Sequence, residues 1–287
     1  MMIYKRALFG PAGNAASFSE MGYKSSLDVP EYLEKMELDW FEYQCGRGVN
    51  IGLEKAKLLG EKMSEKNKGI SLHAPYYISL ASKEPEKREN SIKYIIQSAE
   101  AVNAMGGNRI VVHSGGLGGL SREAACELAC KTLKKAQNVL DEYGLSNIHI
   151  CPETMGKINQ LGNLDEILEM CLVDERFIPC IDFGHLNART HGGLKTIEDF
   201  KNVFDKIEDK LGLDRLKVYH SHFSKIEYSD GGEKRHLTFA DEKYGPDFDF
   251  VAELTCRKGC TPVIVCESAG TQAEDAKTMK DMYLELV

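Results

Sequence analysis

Histidines and acids recur in this sequence directly after short apolar runs of the kind that form buried strands. The most compact example is the run from Phe177 to Ile181, which leads into Asp182 and, three residues later, His185. A run this apolar has no solvated face, so it predicts a strand inside a parallel sheet or barrel. One such pair would carry little weight, but most of the other runs end the same way. The side chains concerned are His73, His113, Glu153, Asp182, His185, His220 and Glu267.

These side chains are of the types that bind divalent cations. Imidazole nitrogens and carboxylate oxygens are the usual borderline ligands of zinc, and they also suit manganese or iron. Seven of them in one place would be electrostatically costly without a cation, and seven exceed the needs of one tetrahedral ion. The sequence therefore predicts two or three metal ions. His236, in the loop after the seventh predicted strand, is a further candidate ligand, and His222 is either a ligand or a donor to one.

Strand-like and helix-like segments alternate along the whole chain. This alternation implies parallel strands with right-handed crossovers, and eight units point to a closed (β/α)8 TIM barrel rather than an open sheet. We therefore expect one domain, residues 1–287, with the metal cluster at the C-terminal mouth of the barrel. Ser121 is the expected N-cap of a long helix, and a polar loop is expected over residues 221–246. The predicted strands are 7–9, 39–44, 70–73, 109–113, 147–153, 178–181, 216–220 and 262–267.

Composition limits the class of protein. The 287 residues are 43% hydrophobic, which is enough to bury one large core. The sequence contains no apolar run long enough for a bilayer and no signal peptide, and its nine scattered cysteines suit reduced thiols, so we expect a cytoplasmic protein without a membrane partner. The net charge of −8 argues against general coating of nucleic acid, although it leaves room for a local cationic site.

The motifs around these side chains resemble those of endonuclease IV, the metal-dependent apurinic/apyrimidinic endonuclease family of DNA repair, which has a xylose-isomerase-like TIM barrel. The most specific matches are the segments 153–157 (Glu-Thr-Met-Gly-Lys) and 181–185 (Ile-Asp-Phe-Gly-His). The resemblance spans nearly the whole chain in the order of the family. The remaining matching segments are 71–76, 112–115, 220–225, 233–236 and 266–268.

The resemblance implies a centre of three zinc ions per chain. The family completes its third site with an aspartate two residues before the last histidine. Lys234 stands at that position here, and Glu233, one residue earlier, is the expected replacement, with Asp230 or His222 as rivals. Carried over by position, the first ion would be held by His73, His113 and Glu153; the second by the bridging Glu153 with Asp182, His220 and Glu267; and the third by His185 and His236.

The resemblance also implies an activity. It is hydrolysis of the phosphodiester 5′ to an abasic site in duplex DNA, leaving a 3′ hydroxyl and a 5′ deoxyribose phosphate, by a monomeric enzyme. The expected catalytic residues are Glu153, Glu267 and His113, and the expected DNA contacts are Tyr76, Arg47, Lys157, Lys225 and Arg235.

Two other functions stay open on the same residues. One is a sugar isomerase or epimerase, which uses the same barrel with one or two metals and a similar Glu, Asp, His, Glu set. The other is a metal-binding barrel without catalysis. The extra histidines His73, His113, His185 and His236 favour three metals and phosphodiester chemistry.

Overall fold

The protein is described here by a computed structural model that covers residues 4–287, in which eight parallel strands surround one axis. Two further strands form a hairpin beside the mouth of this barrel. The strands are β1 (Leu8–Pro11), β2 (Trp40–Gln44), β3 (Gly69–His73), β4 (Arg109–Val112), β5 (His149–Pro152), β6 (Cys180–Asp182), β7 (His220–Phe223), β8 (Ile226–Ser229), β9 (Gly232–His236) and β10 (Val263–Cys266).

The eight barrel strands pair in chain order. One parallel run joins β2, β3, β4 and β5, and the other joins β6, β7, β10 and β1. Parallel bridges between Ala12 and Glu42 and between Glu153 and Cys180 connect the two runs at both seams. The predicted (β/α)8 barrel is therefore confirmed, and the carboxyl ends of its strands lie at one mouth.

Helices cover the outside of the barrel. Ser121 caps the fifth of them as predicted, because its hydroxyl accepts a hydrogen bond from the backbone N–H of Ala124. Among residues 4–287, no helix combines the length and the apolar character needed to cross a membrane. The helices are α1 (Ala16–Glu20), α2 (Val29–Lys35), α3 (Leu53–Glu65), α4 (Pro85–Ala104), α5 (Arg122–Glu142), α6 (Leu164–Cys171), α7 (Phe183–Arg189), α8 (Ile197–Leu211), α9 (Leu213–Lys217), α10 (Asp249–Arg257) and α11 (Gln272–Leu284), with a short 3₁₀ helix at Ser26–Asp28.

The period of two along each strand divides the buried side chains into two layers. On β4, Ile110 and Val112 belong to the large core between sheet and helices, whereas Val111 belongs to a small cluster with Cys151 and Val218. Alternate residues of a barrel strand point toward the axis. The ligand-type side chains stand on the same inward positions, above this small apolar cluster.

The seventh strand is displaced from its predicted position, and the prediction of residues 216–220 is wrong. Gly212, with φ of 84°, ends α8, and the chain then forms the short helix α9 instead of a strand. β7 begins at His220, where the strand was predicted to end. In the parallel register, His222 lies level with Asp182, whereas His220 lies one inward position deeper, level with Cys180.

The segment predicted as a long polar loop contains the antiparallel hairpin of β8 and β9. Its ladder shifts register: Glu227 pairs with Arg235, but Tyr228 pairs with Glu233, so that Lys234 is an extra, bulged residue. A bulge moves the residues on its two sides by one position. This hairpin replaces an irregular loop beside the barrel mouth.

Closure of the barrel between β1 and β2 requires a glycine. A Cβ atom on Gly10 would lie 1.8 Å from the carbonyl oxygen of Trp40. We therefore expect Gly10→Ala to lower the free energy of unfolding in denaturant by about 1–3 kcal/mol or more, the usual cost of overpacking. Gly116→Ala is the control, because nothing lies within 4 Å of its added Cβ. Equal stability of the two variants would contradict this account of the seam.

Candidate metal centre

The carboxylate of Glu153 lies at the centre of the barrel mouth, fully buried at the end of β5. Its Oε2 is 2.9 Å from His113 Nε2 and 3.3 Å from His73 Nε2. Its Oε1 is 3.0 Å from His222 Nδ1 and 3.4 Å from His185 Nδ1. One carboxylate thus faces four imidazole rings, with each of its oxygens turned to a different pair.

Hydrogen bonds to backbone carbonyls and to a hydroxyl fix several of the rings. His73 Nδ1 is 2.9 Å from the carbonyl of Ala74, and His185 Nδ1 is 2.9 Å from the carbonyl of Thr154. Each of these nitrogens must donate, because a carbonyl only accepts, so the lone pair of each ring is on Nε2 in its neutral form. His236 Nδ1 lies 2.8 Å from the hydroxyl of Ser224. This is the arrangement by which proteins orient metal-binding histidines.

Besides a deeper group of Cys180, His220 and His222, three groups of side chains at the mouth could each hold a metal ion. Their ligand atoms lie within 4.8 Å of one another inside each group. The first and second groups share Glu153, and the third lies between α7 and the hairpin. The groups are His73, His113 and Glu153; Glu153, Asp182, His222 and Glu267; and His185, Glu233 and His236.

The chemistry of this donor set fits cations. Asp182 Oδ2 is buried and has no aligned hydrogen-bond partner within residues 4–287, although His185 Nδ1, which already donates to Thr154, lies 3.2 Å from it. Burial raises the pKa of Asp182 to about 6, despite the opposing attraction of His185. An orphaned carboxylate oxygen is costly in a protein interior. In addition, the free nitrogens of His73 and His113 are only 3.2 Å apart, a contact that needs a proton or a cation near it.

The electrostatics of the cluster favour charged rings beside charged acids. Burial opposes charge on Glu153, but His222 and His113 outweigh it and hold the pKa of Glu153 well below its usual range. Burial likewise opposes charge on His185, but Asp182 and the other acids raise its pKa to about 10. Protonated rings can therefore balance the acids, and a divalent cation would displace those protons.

His220, predicted as the ligand from the seventh strand, does not reach this cluster. Its Nε2 lies 3.0 Å from Glu42 Oε2, below the mouth. His222 takes the place beside Glu153, Asp182 and Glu267. The cause is the position of β7: the strand starts later than predicted, so the side chain level with the other strand ends is two residues further along.

The bulge in the hairpin determines which residues of β9 face the centre. Glu233 Oε2 lies 3.4 Å from His185 Nε2, and its side chain is only 14% exposed. His236 Nε2 lies 4.0 Å from Glu267 Oε2. Residues three apart would face opposite sides of a regular strand, but the extra residue Lys234 returns Glu233 and His236 to one side. Asp230, the rival donor, is outside the third group of side chains.

Sequence analysis did not single out Glu42. This fully buried acid on β2 lies beneath the centre, with Oε1 2.8 Å from His222 Nε2 and Oε2 3.0 Å from His220 Nε2. The hydroxyl of Ser71 donates to Oε2 at 2.9 Å. Its position in the sequence could have indicated burial, because Glu42 stands two residues from Trp40 in a strand with few other polar side chains.

A cavity of about 310 Å³ opens above the centre. Among the predicted DNA contacts, Tyr76 and Lys157 line it. The ring of Tyr76 is 58% exposed and lies 5.6 Å from the ring of His113. Arg47 is exposed in the loop after β2, but it is not among the residues that line the cavity.

The structure does not bring the other two predicted DNA contacts into the cavity. Lys225 is half-buried, and its ammonium donates to the carbonyl oxygens of Phe239 and Asp241. Arg235 is exposed, and its Nε donates to Glu227 Oε2 at 2.7 Å. Lys234 pairs with the same acid. The hairpin cations thus compensate an acid of their own hairpin.

Comparison with curated proteins gives relatives of two kinds. An uncharacterized protein of Methanocaldococcus jannaschii is 34% identical over 281 residues, which are 97% of each chain. A probable endonuclease 4 of Oceanobacillus iheyensis is 31% identical over 229 residues, which are 78% of this chain and 70% of the relative.

Solved structures share the fold at lower identity. A D-tagatose 3-epimerase-like protein aligns with a TM-score of 0.70 at 20% identity over 98% of both chains. Endonuclease IV from Thermus thermophilus aligns with a TM-score of 0.67 at 18% identity over 97% of this chain and 98% of its own. Residues 30–283 match the xylose isomerase-like TIM barrel family, and the chain belongs to it.

Proposed function

We propose that this protein is a metal-dependent phosphodiesterase that cuts duplex DNA on the 5′ side of abasic sites, with three divalent ions, mostly zinc, at the barrel mouth. The observation that carries the proposal is the shared Glu153, around which three adjoining groups of ligand-type side chains are arranged. The resemblance of segments 153–157 and 181–185 to endonuclease IV, and the match to a probable endonuclease 4 over 78% of the chain, support the same activity.

Each of the three groups of side chains at the mouth provides the ligands for one metal ion. His73, His113 and Glu153 would hold one ion, and Asp182, His222 and Glu267 would hold a second together with the shared Glu153. His185, Glu233 and His236 would hold the third. When bound, such ions supply positive charge for the phosphate and activate water for attack on phosphorus.

The protein side chains orient and enclose the substrate. The ring of Tyr76, beside His73 and His113, forms one wall of the cavity and packs against the abasic deoxyribose. Lys157 is exposed and lines the cavity, where its ammonium meets a phosphate of the DNA backbone. A cavity of about 310 Å³ is at the lower end of ligand pockets, and this suits a sugar phosphate without a base.

An epimerase or isomerase acting on a small sugar is the second candidate. The group Glu153, Asp182, His222 and Glu267 would suffice for such an enzyme with one metal. The engagement of Lys225, Lys234 and Arg235 with protein groups also leaves fewer cations for a DNA backbone. Against it stand the four histidines outside that group, for which a single-metal enzyme has no use.

The number of bound ions separates these candidates. We expect elemental analysis of protein purified without chelator to give about three divalent ions per chain, because three groups of ligands adjoin. The measurement is the molar ratio of zinc, manganese and iron to protein. One ion or fewer would contradict the three-metal centre and favour the epimerase.

The activity is tested on a duplex oligonucleotide with one abasic analogue. We expect the metal-loaded protein to nick it on the 5′ side of the lesion, with an undamaged duplex and a set of ketohexoses as parallel substrates. Glu153→Gln should reduce nicking on the order of 100-fold or more, because a neutral amide cannot bridge two cations as an anion. Nicking by this variant within about tenfold of the wild type would rule out the role of Glu153.

The third group is tested by two neighbouring residues of one strand. Glu233→Gln should lose close to one equivalent of metal and most nicking, because Glu233 faces His185 and His236. Lys234→Ala is the matched control: its ammonium cannot ligate a cation and pairs with Glu227, so it should keep all the metal. Full metal content in Glu233→Gln would show that another residue completes the group.

A further inference from the structure

The buried carboxylate of Glu42 meets the metal centre at His222, in an ion-pair contact. Its Oε1 also accepts a hydrogen bond from Gln44 Nε2 at 3.3 Å. Glu42 Oε1 lies 2.8 Å from His222 Nε2, while His222 Nδ1 lies 3.0 Å from Glu153 Oε1 and 3.5 Å from Glu267 Oε1. One edge of the imidazole thus faces the acids of the mouth, and the opposite edge faces Glu42. All heavy atoms of this contact are inside the barrel, with Glu42 and His222 fully buried.

Glu42 is itself held on its second oxygen. The hydroxyl of Ser71 donates to Oε2 at 2.9 Å, and His220 Nε2 lies 3.0 Å from the same atom. Trp40 Nε1 in turn donates to the hydroxyl of Ser71 at 2.9 Å. In the parallel register of β2 and β3, Glu42 stands directly opposite Ser71. The carboxylate is therefore clamped from β2, β3 and β7 and has little freedom to turn.

We propose that Glu42 is the positioning residue of the metal centre: its charge, 2.8 Å from His222 Nε2, keeps the ring proton on that nitrogen and thereby presents the Nδ1 lone pair to the cation held with Glu153, Asp182 and Glu267. A carboxylate behind a ligating imidazole fixes its tautomer and orientation and makes it a better donor. His73, His185 and His236 are oriented by neutral carbonyl or hydroxyl oxygens, and the acids near them belong to the three groups themselves. His222 differs in facing an acid, Glu42, that lies outside those groups.

The same geometry also explains why His220 is buried beside Glu42. This histidine does not reach the centre, but its Nε2 lies 3.0 Å from the second oxygen of an acid that is sealed from water, close enough to donate a hydrogen bond to it. A buried carboxylate is tolerated when its lone pairs are satisfied and its charge is compensated. The two histidines of β7 thus act on the two oxygens of one acid, one as the oriented ring and the other as a support.

The inference rests on the proposed function only in that the centre holds divalent cations, so the test uses zinc alone. We compare wild type with Glu42→Gln by competition for zinc against a chromogenic chelator. The variant should bind one of its zinc ions roughly 10–100-fold less tightly, the usual effect of losing such a partner of a ligating histidine. A chelator should also strip that ion faster.

The control is Asp39→Asn, which removes a paired acid at the other end of the same strand. Asp39 accepts from Arg6 and Lys280 and lies far from the mouth, so this variant should lower the melting temperature of the metal-free protein but bind zinc as the wild type does. If Glu42→Gln does the same, lowering the melting temperature with unchanged zinc affinity, Glu42 has a structural role only and the inference is overturned.

A second variant covers the case in which Glu42→Gln does not fold. Ser71→Ala removes one hydrogen bond from Glu42 Oε2, and it should weaken zinc binding about fivefold, the effect of one typical hydrogen bond. Unchanged zinc affinity in folded Ser71→Ala would then count against the inference. The two proposals can fail separately. If zinc binding depends on Glu42 but the zinc-loaded wild type leaves abasic DNA intact, the proposed nuclease function is wrong and the role of Glu42 is retained.

Discussion

The structure is organised around one constraint, the burial of the Glu153 carboxylate among four imidazole rings. A lone carboxylate at that depth would be expelled or protonated, and four lone imidazoles would repel one another when charged. Together they are compatible, because each oxygen of Glu153 faces two rings. The barrel supplies this arrangement by bringing the ends of four different strands and of one helix start to the same mouth.

The hairpin and the loop after β5 form one unit with this centre. Glu233 N donates to the carbonyl of Gly156, and Arg189 donates to the carbonyls of Met155 and Lys157. A side chain on Gly156 would overlap Glu233, since its Cβ would lie 2.6 Å from that of the acid. The third group of ligands is thus held by backbone pairing between two segments that are far apart in sequence.

Much of this could be predicted from the sequence, and what could not has definite causes. The apolar runs that end in His73, His113 and Glu153 predict both where a strand lies and where it ends. The barrel and the position of its mouth follow from them. Residues 216–219 have the same apolar character, but the first two end α9 and the other two connect it to β7, since Gly212 had redirected the chain. Because β7 starts later than predicted, the residue level with the other strand ends is His222, whereas the prediction named His220.

Two further features depend on tertiary structure alone. The choice of Glu233 over Lys234 could be made from chemistry, because an ammonium is no ligand for a cation, but the bulge that turns Glu233 inward has no sequence signal of its own. Glu42 was overlooked because an acid within a strand usually belongs to a solvated face. Only the closed barrel brings it beneath His222, a residue 180 positions later in the chain.

The distribution of charge implies that DNA binding would depend on the bound metal ions. The chain carries a net charge of −8, and the cations near the mouth are largely engaged: Lys234 and Arg235 by Glu227, and Lys225 by loop carbonyls. Three divalent ions would offset most of the net charge at the place where a phosphate must lie. On the proposed function, the positive potential that attracts DNA then comes from the same ions that carry out hydrolysis, with Lys157 as a local supplement. Such a protein would neither coat intact DNA nor bind a lesion before the centre is loaded, so selectivity for the lesion would depend on the cavity over Glu153 rather than on a basic surface.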